Sequence, residues 1–304
     1  MSSFQFEGQL IAYTEFGGGP AAVTAGGGRG RTAKSASACM RPLILVHGLL
    51  LSQQMHWPLA EDLAARGNRV ITIDLLGHGL SDRPEQMSNY SMTFFAKQVE
   101  ALMDHLGIDQ AIVGGTSLGA NTTLELNHMS PDRVKGMMIE MPVLDNALLA
   151  AAVIFTPIMI GLRVAAPVLR LFASGARRIP RTNPLVDMGL DMVRQDPAPS
   201  SAVLEGLFLG SSAPHHQFRV KMTQPTLVIG HHADPLHPFS DSGMLAEELP
   251  NSRLIEANSI LEWRISPERL DAELAQFLDD VWVQHDGAAT KTAAGAPGDA
   301  LSEA

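Results

Sequence analysis

The sequence predicts an α/β fold in which a mostly parallel central sheet is flanked by helices and interrupted by a helical insertion. Three observations carry the prediction. Short apolar runs alternate with amphipathic segments along most of the chain, the pattern of parallel strands joined by right-handed crossovers. One strand-to-helix junction reads Gly115-Thr116-Ser117-Leu118-Gly119. From about Asp145 to Lys221 no strand-like run occurs, so that stretch reads as helices laid over the sheet.

Taken in order, the opening FQFEGQLIAYTEFG alternates around Gly8 and predicts a β-hairpin forming an antiparallel edge. Residues 17–41 are too rich in glycine and too poor in large apolar side chains to pack, and are expected to form a flexible loop. Its glycines lack the spacing, and the following Lys-Ser/Thr, of a phosphate-binding loop. Strands are then expected at 42–48, 69–75, 110–116, 134–141, 225–230 and 252–257. Helices from Met55 to Arg66, Thr93 to Leu106 and Leu118 to Met129 supply the crossovers, and one from Ser266 to Val283 closes the fold. Residues 1–144 and 222–283 would form the core, with 145–221 as a helical cap. The tail 284–304, small and polar without periodicity, is expected to be disordered.

The 304 residues, 45% of them apolar, suffice for a sizeable core. A net charge of −10 removes the basic footprint that a phosphate backbone demands, so nucleic acid is not an expected partner and a small apolar substrate is. Cys39 has no second cysteine to pair with, and the opening lacks a basic start followed by an apolar run, so the cytoplasm is the expected compartment. The apolar stretch from Ala147 to Ala173 approaches the length of a membrane span, yet Pro157, Pro167, Arg163 and Arg170 interrupt it. It is read as two helices resting on the core in preference to an interfacial helix at a membrane surface, which its apolar face with nearby arginines would also suit, and membrane contact is not expected.

The GTSLG junction has GxSxG spacing in strand-turn-helix context. Such a turn holds its serine in a strained conformation with the hydroxyl exposed, and the flanking glycines keep side chains from clashing with strand and helix. Ser117 is therefore the candidate nucleophile; the simpler role is to cap the helix. HGLLL at 47–51, directly after a strand, should pass beside it. The backbone N–H groups of Leu49 and Leu118 are the candidate oxyanion donors. His47 and His78 are read as structural.

HGLL, the DLLGHGLSDRP at 74–84, GTSLG, SPDRV at 130–134 and IGHHADPLHP at 229–238 together resemble the α/β-hydrolase superfamily, in its esterase, lactonase and haloperoxidase-like branch with a helical cap. The resemblance covers residues 5 to 283 and implies an α/β-hydrolase fold. It also implies that Asp234, in the loop after the penultimate strand, is the triad acid, with Asp145 in reserve. The family histidine follows the last strand, and there this chain reads NSILEWRISPERL, with Ile260 at the histidine's place. The replacement base is expected to be His237, three residues beyond Asp234, with His56 as a weaker substitute; His128 sits too far along its helix. His231, His232, Asp234 and His237 match no metal-ligand spacing, and His215 and His216 read as loop residues of the cap. Neither metal nor cofactor is expected. The implied activity is hydrolysis of a small apolar ester or related acyl compound by a serine hydrolase. The alternative is a descendant of the fold that binds a ligand or runs other chemistry, with Ile260 as its support.

Overall fold

The computed structural model describes residues 1–17, 41–182, 184–232, 234 and 236–293. Most of the loop expected at 17–41 lies outside these. Strands β1 (Ser2–Phe6) and β2 (Gln9–Phe16) form the leading hairpin. Glu7 and Gly8 both take positive φ between them, as a tight two-residue turn demands. There follow β3 (Pro42–Val46), α1 (Trp57–Ala65), β4 (Arg69–Ile73), α2 (Met92–His105), β5 (Ala111–Thr116), α3 (Leu118–Met129) and β6 (Val134–Glu140). Five helices then succeed one another: α4 (Leu148–Val164), α5 (Ala166–Ala176), α6 (Pro184–Arg194), α7 (Pro197–Phe208) and the single turn α8 (His216–Arg219). The chain returns to the sheet through β7 (Thr226–His231), α9 (Phe239–Glu248), β8 (Ser252–Ala257), α10 (Glu262–Ile265) and α11 (Glu268–Ala293).

The eight strands lie in the order β1-β2-β4-β3-β5-β6-β7-β8. The first two pairings are antiparallel and the others parallel. Successive side chains of a strand point to opposite faces, so each inner strand feeds two cores. Ile44 and Val46 of β3 join Phe95, Val99 and Leu124 on one face. Leu43 and Leu45 join Leu59 and Leu63 of α1 and Leu274 and Phe277 of α11 on the other. Burial on both faces is why these strands read as continuous apolar runs.

Two expectations are corrected. The tail taken as disordered from residue 284 begins as further turns of α11, which runs to Ala293; residues 294–304 lie outside the described part. A helix already packed on the sheet needs no new nucleus to elongate through alanine-rich sequence. The segment from Ala147 to Ala173 does form two helices, but they rest only lightly on the core, and α4 has no buried residue. Its apolar side chains face outward at Leu149, Val153 and Val164. Among the described residues no single helix is long and apolar enough to cross a membrane.

Both stems of the insertion are pinned close to GTSLG. Asn121, in the first turn of α3, donates from Nδ2 to the carbonyls of Val143 and Ser212 and accepts from the Val143 amide. The fully buried Asp241 of α9 accepts the amides of Leu144, Asn146 and Ala147. A carboxylate there complements the positive end of α4.

Candidate active site

Tight packing creates the turn at Ser117. A β-carbon on Gly119 would stand 2.1 Å from the Val46 carbonyl oxygen, and one on Gly115 would stand 2.4 Å from the same atom. Only glycine lets β3, β5 and α3 approach this closely. The chain reverses between strand and helix in a single residue, which forces Ser117 to φ 55° and ψ −107°. Its amide donates to the Glu140 carbonyl at 2.8 Å, and its carbonyl accepts from the Asn121 amide at 3.0 Å. Thus held, the side chain projects beyond the sheet at the N-terminus of α3, where the helix dipole favours negative charge.

His237 Nε2 lies 2.8 Å from Ser117 Oγ, and His237 Nδ1 lies 2.7 Å from Asp234 Oδ2. An ionised carboxylate only accepts, so Nδ1 carries the proton and donates to it. Nε2 is left as the acceptor for the serine hydroxyl. The other oxygen of Asp234 accepts the amides of Leu236 at 2.8 Å and His237 at 3.0 Å. Burial pushes the Asp234 carboxyl up, but the His237 imidazole and these two amides outweigh it and hold the acid below its usual range.

Ser117, Asp234 and His237, the three candidates of the sequence reading, stand within hydrogen-bond distance in one chain of contacts. The reserve candidates stand elsewhere. His56 is fully buried and donates from Nε2 to the Val46 carbonyl at 3.1 Å; burial, with Arg264 nearby, lowers its pKa to about 3. Asp145 is mostly exposed and faces Arg219 at 3.6 Å. His47 accepts the Leu75 amide at Nε2 and meets the Gly48 carbonyl at Nδ1, which fixes the loop that follows β3. Ile260 is 41% exposed on the turn before α10.

Behind the serine, Glu140 and Arg264 escaped the sequence reading, and their partners Thr116 and His231 were read only as part of the elbow and of the loop after the penultimate strand. Glu140, at the end of β6, is almost fully buried; it accepts the Thr116 hydroxyl and, at 3.2 Å, the Arg264 guanidinium. His231 Nε2 stands 3.6 Å from its other oxygen, while His231 Nδ1 donates to the Ser259 carbonyl at 2.8 Å. Burial raises the Glu140 carboxyl, yet Arg264 and its other partners win and take its pKa to about 2. Burial likewise lowers His231, but Glu140 more than restores it and leaves its pKa raised. The cluster ties the end of β6, the elbow and the segment after β8 together. The one signal in the sequence was the polar Glu140 directly after the apolar run Met137-Met138-Ile139.

The serine opens on a cavity of about 470 Å³. Leu49, Leu118, Leu144, Ala151, Phe155 and Leu207 contribute apolar wall, and His215, His216 and Arg219 a polar end. Among the described residues the amides of Leu49 and Leu118 have no hydrogen-bond acceptor, and both residues line this cavity. Leu50 follows at φ 58°. The arrangement combines a hydroxyl, an imidazole to take its proton, a carboxylate to hold the imidazole, and two free amides. Among the described residues no cluster of side chains suits a metal ion.

A family model described as alpha/beta hydrolase fold matches residues 41–158. The uncharacterized carboxylesterase nap of Bacillus subtilis (strain 168) is 33% identical over 101 residues, covering 33% of each chain. The 2-hydroxymuconate semialdehyde hydrolase of Pseudomonas sp. (strain CF600) is 31% identical over 100 residues, or 32% of this chain and 35% of that one. The chain thus matches about a third of the length of these curated relatives. Among solved structures, the enol-lactonase from Burkholderia xenovorans LB400 superposes with a TM-score of 0.71 at 19% identity, over 91% of this chain and 100% of that one.

Proposed function

We propose that this chain, which has the α/β-hydrolase fold and matches the alpha/beta hydrolase family model over residues 41–158, is a serine hydrolase acting on a small apolar ester or related acyl compound. The observation that carries this reading is the unbroken run of hydrogen bonds from Ser117 Oγ through His237 to Asp234, at 2.8 and 2.7 Å, at the wall of an apolar cavity. Curated relatives named as a carboxylesterase and a semialdehyde hydrolase, and a neighbour named as an enol-lactonase, fit the same chemistry.

In this reading Ser117 Oγ attacks the acyl carbon as its proton passes to His237 Nε2. The oxygen of the tetrahedral intermediate takes up the amides of Leu49 and Leu118, beside the positive end of α3. Asp234 keeps the imidazole in the receptive tautomer and stabilises the imidazolium. Collapse expels the alkoxide, which receives the proton from His237, and water repeats the sequence on the acyl-enzyme. The helices between β6 and β7 serve as the cap, giving the acyl or ring portion its apolar wall.

The presence of an imidazole at Ser117 favours hydrolysis over a role in ligand binding alone, even with Ile260 at the family histidine's place. Intact mass after incubation with a fluorophosphonate tests this. Stoichiometric labelling of the wild type, lost in both Ser117→Ala and His237→Ala, is the expected result. Labelling retained in His237→Ala would remove His237 as the base, and a folded wild type that takes no label would overturn the hydrolase.

A further inference from the structure

The helix pair α4 and α5 presents an outward surface that the chemistry at Ser117 does not use. On α4 the side chains at Leu149, Val153, Ile160 and Val164 follow one another at helical spacing, and all four are exposed, Leu149 at 77% and Val164 at 80%. On α5 the stripe continues through Val168, Leu171 and Phe172, with Leu171 at 74%. The opposite side of α4 supplies Ala151, Ala152 and Phe155 to the cavity. Apolar residues therefore surround α4, a pattern that in water belongs to a buried helix, although none of its residues is buried. An apolar patch of this kind on a monomer marks an interaction surface.

Its charge narrows the occupant. The 41 residues from Asn146 to Val186 contain five arginines and no aspartate, glutamate or lysine, in a chain of net charge −10. Arg163, Arg170 and Arg181 pair with Glu205, Asp196 and Asp191 of the neighbouring helices. Arg177 and Arg178, where the α5 stripe ends, differ: Arg177 donates to the Arg194 carbonyl, and among the described residues no carboxylate pairs with either. A second copy meeting this patch through a two-fold axis would set these cations near their own duplicates, which disfavours self-association. An apolar phase with an anionic boundary satisfies both the stripes and the arginines.

We infer that the outward face of α4 and α5 docks the protein on a lipid surface bearing anionic headgroups, with the side chains of Leu149, Val164 and Leu171 entering the acyl boundary and Arg177 and Arg178 meeting the phosphates. The helices lie in the surface and do not cross it: they meet at 95°, and neither is long enough to span. This inference stands apart from the hydrolase reading, because none of these five residues lines the cavity.

Co-sedimentation of the full chain with vesicles of phosphatidylcholine alone, or mixed equally with phosphatidylglycerol, tests it. Partition onto the mixed vesicles is expected to exceed that onto neutral ones by at least an order of magnitude and to fall at high salt. Arg177→Glu with Arg178→Glu should erase most of that excess, since each surface arginine contributes about fivefold. Leu149→Asp with Val164→Asp should abolish binding to both, with fluorophosphonate labelling in free solution unchanged. Partition equal on the two vesicle types, or absent from both, overturns the inference. So does a concentration-dependent dimer in sedimentation velocity that the aspartate pair dissolves. Should the aspartate pair fail to fold by circular dichroism, the exposed arginine pair still decides the matter. If the hydrolase reading alone fails, labelling is absent while the vesicle results stand.

Discussion

Ser117 holds a backbone conformation that a non-glycine residue adopts at a cost of about 1 to 3 kcal/mol. Ser117→Gly should relieve it, so calorimetry is expected to show a melting temperature raised by about 2 °C, while fluorophosphonate labelling disappears. The opposite sign would mean that the turn is unstrained. At Asp234 the isosteric Asp234→Asn keeps the shape of the loop but lets the amide favour the wrong imidazole tautomer. Its kcat on a chromogenic ester should fall by roughly 10³ to 10⁴, with thermal stability little changed. A loss below tenfold would show that the acid lies elsewhere. The pieces of this proposed relay were visible in the sequence: GxSxG between strand and helix, and an aspartate followed by a histidine in the loop after the penultimate strand, are local patterns. Glu140, Arg264 and His231 were not, because their meeting behind the elbow joins residues far apart in the chain, and nothing local marks an arginine that will reach a glutamate 124 positions away.

At the scale of elements, the inner strands reveal themselves because burial on both faces fills them with apolar runs such as those at 43–46 and 227–229. The hairpin reveals itself through the glycine in its turn. The anchorage of α4 stays hidden for the same reason as the Glu140 cluster: the carboxylate at its N-terminus comes from Asp241, more than 90 positions onward. Asp241→Ala would leave the amides of Leu144 and Asn146 without an acceptor and remove one of the two that serve Ala147, so urea denaturation should report a loss of about 3 kcal/mol or more. Arg264→Met strips Glu140 of its charged partner while keeping the length of the side chain. Truncating one side of a buried pair typically costs about 3 to 5 kcal/mol, and a midpoint within 1 kcal/mol of the wild type would mean that His231 and Thr116 suffice. The extension of α11 to Ala293 was missed because a polar, alanine-rich segment looks structureless alone, whereas here it prolongs a helix already seated on the sheet.

For the whole molecule, the buried ionisable groups set a direction for acid sensitivity. His56 has its pKa lowered from 6.5 to about 3, so the unfolded chain binds its proton more readily than the folded one. Its contribution is complete above about pH 6.5 and is lost as pH falls towards 3, with a limiting slope of about 1.4 kcal/mol per pH unit. Glu140, lowered from 4.5 to about 2, extends the loss through that lower window. Denaturation midpoints measured from pH 7 down to pH 4 should decline, and His56→Gln, which retains a donor for the Val46 carbonyl, should flatten the decline by about one proton. An unchanged slope would exclude His56 as a source. The balance of charge also differs across the molecule, with five arginines and no acidic residue between Asn146 and Val186 and the acidic excess elsewhere. Composition reports only the sum of these, and the prolines and arginines that interrupt Ala147 to Ala173 argue against a helix crossing a bilayer, not against the surface docking proposed above.

Asp234 and His237 are separated by three positions, and their pairing is made and braced within one short loop. Where a relay is assembled from distant segments, each can drift while the other stays. In the proposed relay base and acid therefore form a single cassette, and a deletion or displacement in that loop would withdraw both together. The chain beyond β8, relieved of supplying an imidazole, instead supplies the Arg264 guanidinium to Glu140 and the Ser259 carbonyl to His231.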